Sequence, residues 1–94
     1  MVTVRIPAPL RKLFKNADVV SVNSTTIMSL IEDLEFGYPG IQERLLNESQ
    51  ELRTFVNIYK NNEDIRFLAG LDTEIMDSDE ISIVPAIAGG WMEI

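Results

Sequence analysis

Ile81-Ser82-Ile83-Val84-Pro85-Ala86-Ile87-Ala88-Gly89-Gly90 is the stretch on which the reading of this chain turns. Its first four residues set β-branched side chains two apart, the pattern of a strand. Pro85 has no N–H for a ladder, so pairing is expected to weaken there. Side chains then shrink until Gly89-Gly90 has none, and Trp91-Met92-Glu93-Ile94 follow. Fully extended, Ala86 to Gly90 spans roughly 16 Å, long enough to enter another protein's active site. On glycine content alone, a flexible joint before a frayed end is the simpler reading. The position of the pair, directly behind a strand, favours an arm held out from a domain. Residues 1–88 are thus expected to form the domain and residues 89–94 a C-terminal tail.

Working outward, Val2, Val4 and Ile6 alternate with Thr3 and Arg5, a half-buried strand that Pro7 and Pro9 end. Leu10-Arg11-Lys12-Leu13-Phe14-Lys15 is read as a short turn packing Leu10, Leu13 or Phe14 on the core edge. Its basic residues are the densest positive cluster, and a solvated loop is the plain account of them. Asp18 to Val22 is a second strand, able to pair back on the first. Asn23-Ser24-Thr25-Thr26 offers helix N-caps. Ile27, Leu30, Ile31 and Leu34 then follow at i, i+3, i+4 and i+7, one apolar stripe. Gly37 is placed as the residue just past that helix, with Pro39 preventing continuation.

Ile41 to Leu46 is read as one or two further helical turns, and Asn47 to Glu51 as a polar loop. Thr54 to Tyr59 reads as a strand, with Val56 and Ile58 toward the helix and Phe55 and Tyr59 on the other face. Asn61-Asn62 marks a tight turn, because asparagine tolerates positive φ. Ile65-Arg66-Phe67 fits a short returning strand; Leu71, Ile75 and Met76 are expected anchors in an irregular stretch before the last strand. This order suits an α+β domain with first and last strands as parallel neighbours in a mixed sheet, covered on one face by the helix. Order alone leaves other topologies open, a ferredoxin-like one among them.

Ninety-four residues with 46% apolar content suit one domain with one core. With no cysteine there is no disulfide, persulfide relay or thiolate nucleophile; with no histidine the commonest general base and a common metal ligand are missing. No glycine-rich phosphate loop or G-x-S-x-G elbow occurs. The chain is therefore expected to be a substrate or binding module and not an enzyme, with no metal and no cofactor of its own. A net charge of −7 disfavours nucleic acid and anionic membranes as partners and favours a basic docking surface. No apolar run approaches a membrane span, and a strand begins at Met1-Val2 with no room for a signal peptide, so cytoplasm is the expectation.

Asp77-Ser78-Asp79-Glu80-Ile81 followed by Pro85-Ala86-Ile87-Ala88-Gly89-Gly90 resembles the C-terminal signature of the ThiS/MoaD ubiquitin-like sulfur carriers. Tyr38-Pro39-Gly40-Ile41-Gln42-Glu43-Arg44-Leu45 is similar to their post-helix segment. Phe55 to Phe67 is closely similar to the matching part of the CysO branch, which feeds cysteine synthesis. The likeness covers nearly the whole chain. It departs at Ser78, where the family often has glycine, and at Trp91 to Ile94, since mature carriers end at the second glycine.

The resemblance implies a β-grasp fold with about five strands and one main helix. It implies that Gly90 supplies a terminal carboxylate, which an adenylating, ubiquitin-activating-like enzyme activates with its own ATP and magnesium. A sulfur donor then converts that group to a thiocarboxylate for a sulfur-accepting biosynthetic enzyme. Gly89 and Ala88 would pass the narrow channel to the reacting centre. Cysteine or homocysteine and methionine synthesis are the favoured destinations, ahead of thiamin, molybdopterin or a secondary metabolite. Because Gly90 is in amide linkage to Trp91, the chain reads as a precursor cut between them by a zinc metalloprotease. The alternatives for Trp91 to Ile94 are a cloning remnant or a peptide packing Trp91 near Phe55, Tyr59 or Val84. Phe55, Tyr59, Val84 and Ala86 are the candidates for partner docking on the helix-free face. A modifier joined to lysines through Gly90, or a passive interaction domain, are the competing functions.

Overall fold

The computed structural model describes residues 1–85. Strand β1 (Val2–Arg5) leads into a 3-10 helix (Ala8–Phe14), then β2 (Val19–Val22), helix α1 (Ile27–Gly37) and helix α2 (Ile41–Leu45). Strands β3 (Val56–Lys60) and β4 (Glu63–Asp64) follow, then short 3-10 turns at Ile65–Phe67 and Gly70–Asp72, and last β5 (Glu80–Pro85). The sheet order is β2-β1-β5-β3-β4. β5 runs parallel to β1 and antiparallel to β3, so the last strand to form in sequence is the middle one in space. This is the mixed five-stranded β-grasp sheet that the resemblance implied.

One physical pattern sets the two faces. Val2, Val4, Val56, Ile58, Ile81 and Ile83 alternate along their strands and are all buried under α1. From α1, Ile27, Leu30, Ile31 and Leu34 meet them, each with no exposed surface. The helix starts where expected: Thr26 Oγ1 accepts a bond from the Ser29 N–H at 3.1 Å, and Ser29 Oγ accepts one from the Thr26 N–H at 3.1 Å. These reciprocal bonds satisfy donors that a helix N-terminus otherwise leaves open. Leu10 and Phe14 of the first 3-10 helix close one end of the core, and the Phe14 and Tyr38 rings lie 4.6 Å apart.

Four local expectations are corrected. Gly37 is the last residue of α1 and not the one beyond it; the glycine with positive φ is Gly40, at 105°, leading into α2. There the Glu35 carboxylate accepts bonds from the Gly40 and Gln42 N–H groups and caps the short helix. β3 begins at Val56, so Thr54 and Phe55 belong to the turn before it, and Phe55 packs partly against the core. Ile65-Arg66-Phe67 is helical, because Asp64 caps it by accepting a bond from the Arg66 N–H at 2.8 Å. Met76 is 69% exposed and anchors nothing, whereas Ile75 beside it is buried.

Pro85 is paired, opposite Val56. The reason lies in the ladder's alternation. The Asn61 N–H donates to the Glu80 carbonyl at 2.9 Å, so bonded pairs fall at every second step from there and Val56–Pro85 is a non-bonded pair. The proline nitrogen therefore points away from β3. On its other side β1 pairs with β5 only as far as Ser82, so the missing donor costs no ladder bond.

Candidate functional site

The candidate site has two parts: strand β5, which ends at Pro85 just before the Gly89-Gly90 segment of the sequence, and the open face of the sheet around it. β5 is held at its root by a clasp between distant segments. The Asp79 carboxylate accepts bonds from the Met76 N–H and from Asn61 Nδ2, both at 2.8 Å, and Lys60 Nζ stands 3.7 Å away. Asn61 in turn accepts a bond from the Glu80 N–H at 2.9 Å. The Met76 hydrogen bond, aided by Asn61 and Lys60, holds the Asp79 carboxyl below the usual aspartate range against the opposing effect of desolvation. Asn61 and Asn62 adopt positive φ, 51° and 76°, as the sequence suggested, and this turn is what aims the Asn61 side chain at β5. Ser78 is not in the left-handed region, so the backbone at this turn places no demand for glycine there.

The open face follows from register. In β5 the residues alternating with the buried isoleucines are Glu80, Ser82 and Val84. Ser82 stands between Arg5 of β1 and Tyr59 of β3, and the row continues to Val19 on one side and Asp64 on the other. Val84 lies opposite Asn57. Val19 and Val84 are each 41% exposed, and Tyr59 is half-buried. Arg5 Nε donates to the Glu80 carboxylate at 2.7 Å across this face.

Arg66 borders the same face and fastens the start of β3. Its guanidinium donates to Asn57 Oδ1 at 2.5 Å, to the Arg53 carbonyl at 2.9 Å and to the Val56 carbonyl at 2.8 Å. Sequence reasoning missed Arg66, Asp79 and the Arg5–Glu80 pair. Alternation places Arg5 and Glu80 on one face, but only register shows that they meet.

Of the docking candidates, the fold brings Tyr59 and Val84 together on the helix-free face. Phe55 sits before the strand and leans into the core, and Ala86 lies outside the described residues. So do Ala88, Gly89, Gly90 and Trp91, and with them the boundary between a domain at 1–88 and a tail at 89–94. Among the described residues there is no grouping of three or more acidic side chains, histidines or cysteines suited to a metal ion. Among the same residues no helix is long and apolar enough to cross a membrane.

A parallel pair of first and last strands, with the last strand in the middle of a mixed five-stranded sheet and a helix covering one face, defines a β-grasp, ubiquitin-like module. The chain belongs to the ThiS family, whose model matches residues 4–90, from Val4 to Gly90. It is 48% identical to the sulfur carrier protein CysO of Mycobacterium tuberculosis over 91 residues, 95% of this chain and 98% of that one. The crystal structure of that CysO superposes with a TM-score of 0.88 at 46% identity, covering 93% of this chain and all of the other. The CysO-type chain in the Amycolatopsis orientalis BexX/CysO complex superposes with a TM-score of 0.90 at 41% identity, covering 96% and 100%.

Proposed function

We propose that this chain is a sulfur carrier whose working group is the carboxylate of Gly90, exposed once residues 91–94 are removed. The observation that carries the reading is the extent of the family match, which ends at Gly90 with Trp91 to Ile94 beyond it. The 48% identity to a CysO sulfur carrier supports the same class, with cysteine or homocysteine and methionine synthesis as the favoured destinations.

The chemistry divides between this chain and its partners. The freed Gly90 carboxylate oxygen attacks the α-phosphorus of ATP inside an adenylating enzyme, and pyrophosphate leaves. Hydrosulfide then attacks the acyl carbon and expels AMP, leaving a thiocarboxylate with the hydrosulfide proton released. ATP and magnesium are held by that enzyme; this chain supplies the carboxyl and the path to it. Glycine suits both positions, because a Cβ at Gly90 would crowd the attacked carbonyl and one at Gly89 would widen the arm. While Gly90 remains in amide linkage to Trp91 there is no carboxylate to adenylate, which is why a zinc metalloprotease cut after Gly90 belongs to the proposal.

Docking falls to the open face, with Tyr59 and Val84 as its apolar contacts; Ala86 follows them in sequence. The chain's net charge of −7 fits a partner with a basic surface around that contact. The test is pyrophosphate release by the adenylating enzyme, with the chain ending at Gly90 compared against the full chain. Release with the trimmed chain alone is expected. Release with neither, or equally with both, contradicts the proposal, and heavier lysine-linked adducts in extract would point to the modifier function instead.

A further inference from the structure

We propose that β2 is a self-pairing edge: two copies of this chain join antiparallel along it into one continuous sheet, leaving the face assigned to docking uncovered. The sequence treats the two outer strands differently. β4 is two residues long and both, Glu63 and Asp64, are acidic, a common way in which an edge is kept from pairing. β2, the other outer strand, reads Val19-Val20-Ser21-Val22, with no charge, no proline and an unbroken register against β1. Val19 leaves 41% of its surface exposed and Ser21 is exposed. Val20 and Val22 are only half-buried against the rim of the core.

Register shows which main-chain groups are free. The Ile6 N–H donates to the Asp18 carbonyl at 2.8 Å, so the bonded pairs of this ladder are Ile6–Asp18, Val4–Val20 and Val2–Val22. Val19 and Ser21, opposite Arg5 and Thr3, fall at the non-bonded steps. Their N–H and C=O groups point away from β1, and no described residue bonds them. A second β2 suits this edge because the strand is complementary to itself. With a two-fold axis at Ser21, Ser21 meets Ser21 of the second copy and Val19 meets Asn23, and these are the pairs that exchange bonds. Val20 then faces Val22 on the α1 side, which covers two half-buried valines in each copy. Asp18 falls opposite Ser24, so no like charges meet across the seam. Moving the axis to Val20 would set Asp18 against Val22, so apolar pairing selects the first register. Both α1 helices lie on one side of the joined sheet and both open faces on the other, with Tyr59 and Val84 accessible.

The seam is one short strand wide and each copy carries a charge of −7, so the dimer is weak, with a Kd on the order of 100 μM. Because the copies repel, pairing tightens as salt is added, the reverse of binding to a basic partner. The test is sedimentation equilibrium of the full chain up to about 1 mM, with amide hydrogen exchange followed by NMR at each concentration. A monomer–dimer equilibrium that strengthens with salt is expected. The Val19 and Ser21 amides should exchange about twofold slower when half the molecules are paired, while those of Val20 and Val22 stay slow throughout. Ser21→Pro deletes only an outward N–H, so its melt should stay near that of the parent while Kd rises about tenfold or more. Ser21→Ala keeps that N–H and the dimer. The exchange measurement is made on the unaltered chain and needs no variant. A monomer at about 1 mM, a dimer untouched by Ser21→Pro, or a dimer whose Val19 and Ser21 amides stay fast overturns the proposal. Amides protected at every dilution would put another segment of this chain on the edge, and protection gained only in cell extract would put a foreign strand there. Either result also overturns self-pairing.

Discussion

Replacing Asp79 with asparagine removes the charge that roots β5 while changing the side chain's shape very little. The carboxylate accepts from the Met76 N–H and from Asn61 Nδ2, both at 2.8 Å, with the Lys60 ammonium at 3.7 Å. Asparagine keeps one acceptor oxygen and presents an NH2 where the other bond was received. One hydrogen bond to a charged acceptor is lost and the second reverts to neutral strength, a cost of about 2 kcal/mol. For a domain of this size that lowers Tm by roughly 8–16 °C. The pH dependence separates this cause from a generic packing defect. Asp79's folded pKa lies below its unfolded value, so the stability it adds is fully present above about pH 4 and is lost as pH falls through the folded value. Urea unfolding of both proteins from pH 7 downward should show a gap of about 2 kcal/mol that narrows below pH 4. A gap under about 0.5 kcal/mol at pH 7, or one of constant size down to acid pH, would refute the reasoning.

Two further outcomes follow from the assignment of faces. Ile58→Ala, at a position with no exposed surface beneath α1, should cost about 3 kcal/mol in urea unfolding, since the sheet cannot close over the lost volume. Tyr59→Glu, in the chain ending at Gly90, should weaken binding to the adenylating enzyme about tenfold or more in a titration. Its melting midpoint should move by less than the equivalent of about 1 kcal/mol; a collapsed melt would make Tyr59 part of the core.

The parts of the fold legible in the sequence were those written with a regular period. The stripe Ile27, Leu30, Ile31, Leu34 and the alternations Val2, Val4, Ile6 and Ile81, Ile83 each repeat often enough to define a face, and all are buried. Ile65-Arg66-Phe67 offered only three residues, too few to separate strand from helix, and the capping Asp64 settled it. Phe55 fitted the parity of β3 but precedes its first ladder pair. Gly37 stood one turn too early, because the left-handed residue is Gly40 after the Tyr38-Pro39 turn. The clasps of Asp79 and Arg66 join residues up to 19 positions apart, or recruit main-chain carbonyls, and neither leaves a local pattern. The candidate site divides in the same way: Gly89-Gly90 and the shared helix-free face of Tyr59 and Val84 are plain in the sequence, while which strands neighbour each other, and so that Tyr59 stands opposite Ser82 and Val84 opposite Asn57, depends on register.

The central claim is that Gly90, once free, carries sulfur. Intact-mass analysis of the chain ending at Gly90, after incubation with adenylating enzyme, ATP and sulfide, tests it most directly. A gain equal to replacing one oxygen by sulfur, absent from the full chain and from a Gly90-deleted chain, is the result expected. No gain in the trimmed chain, or the same gain in the full one, would contradict it.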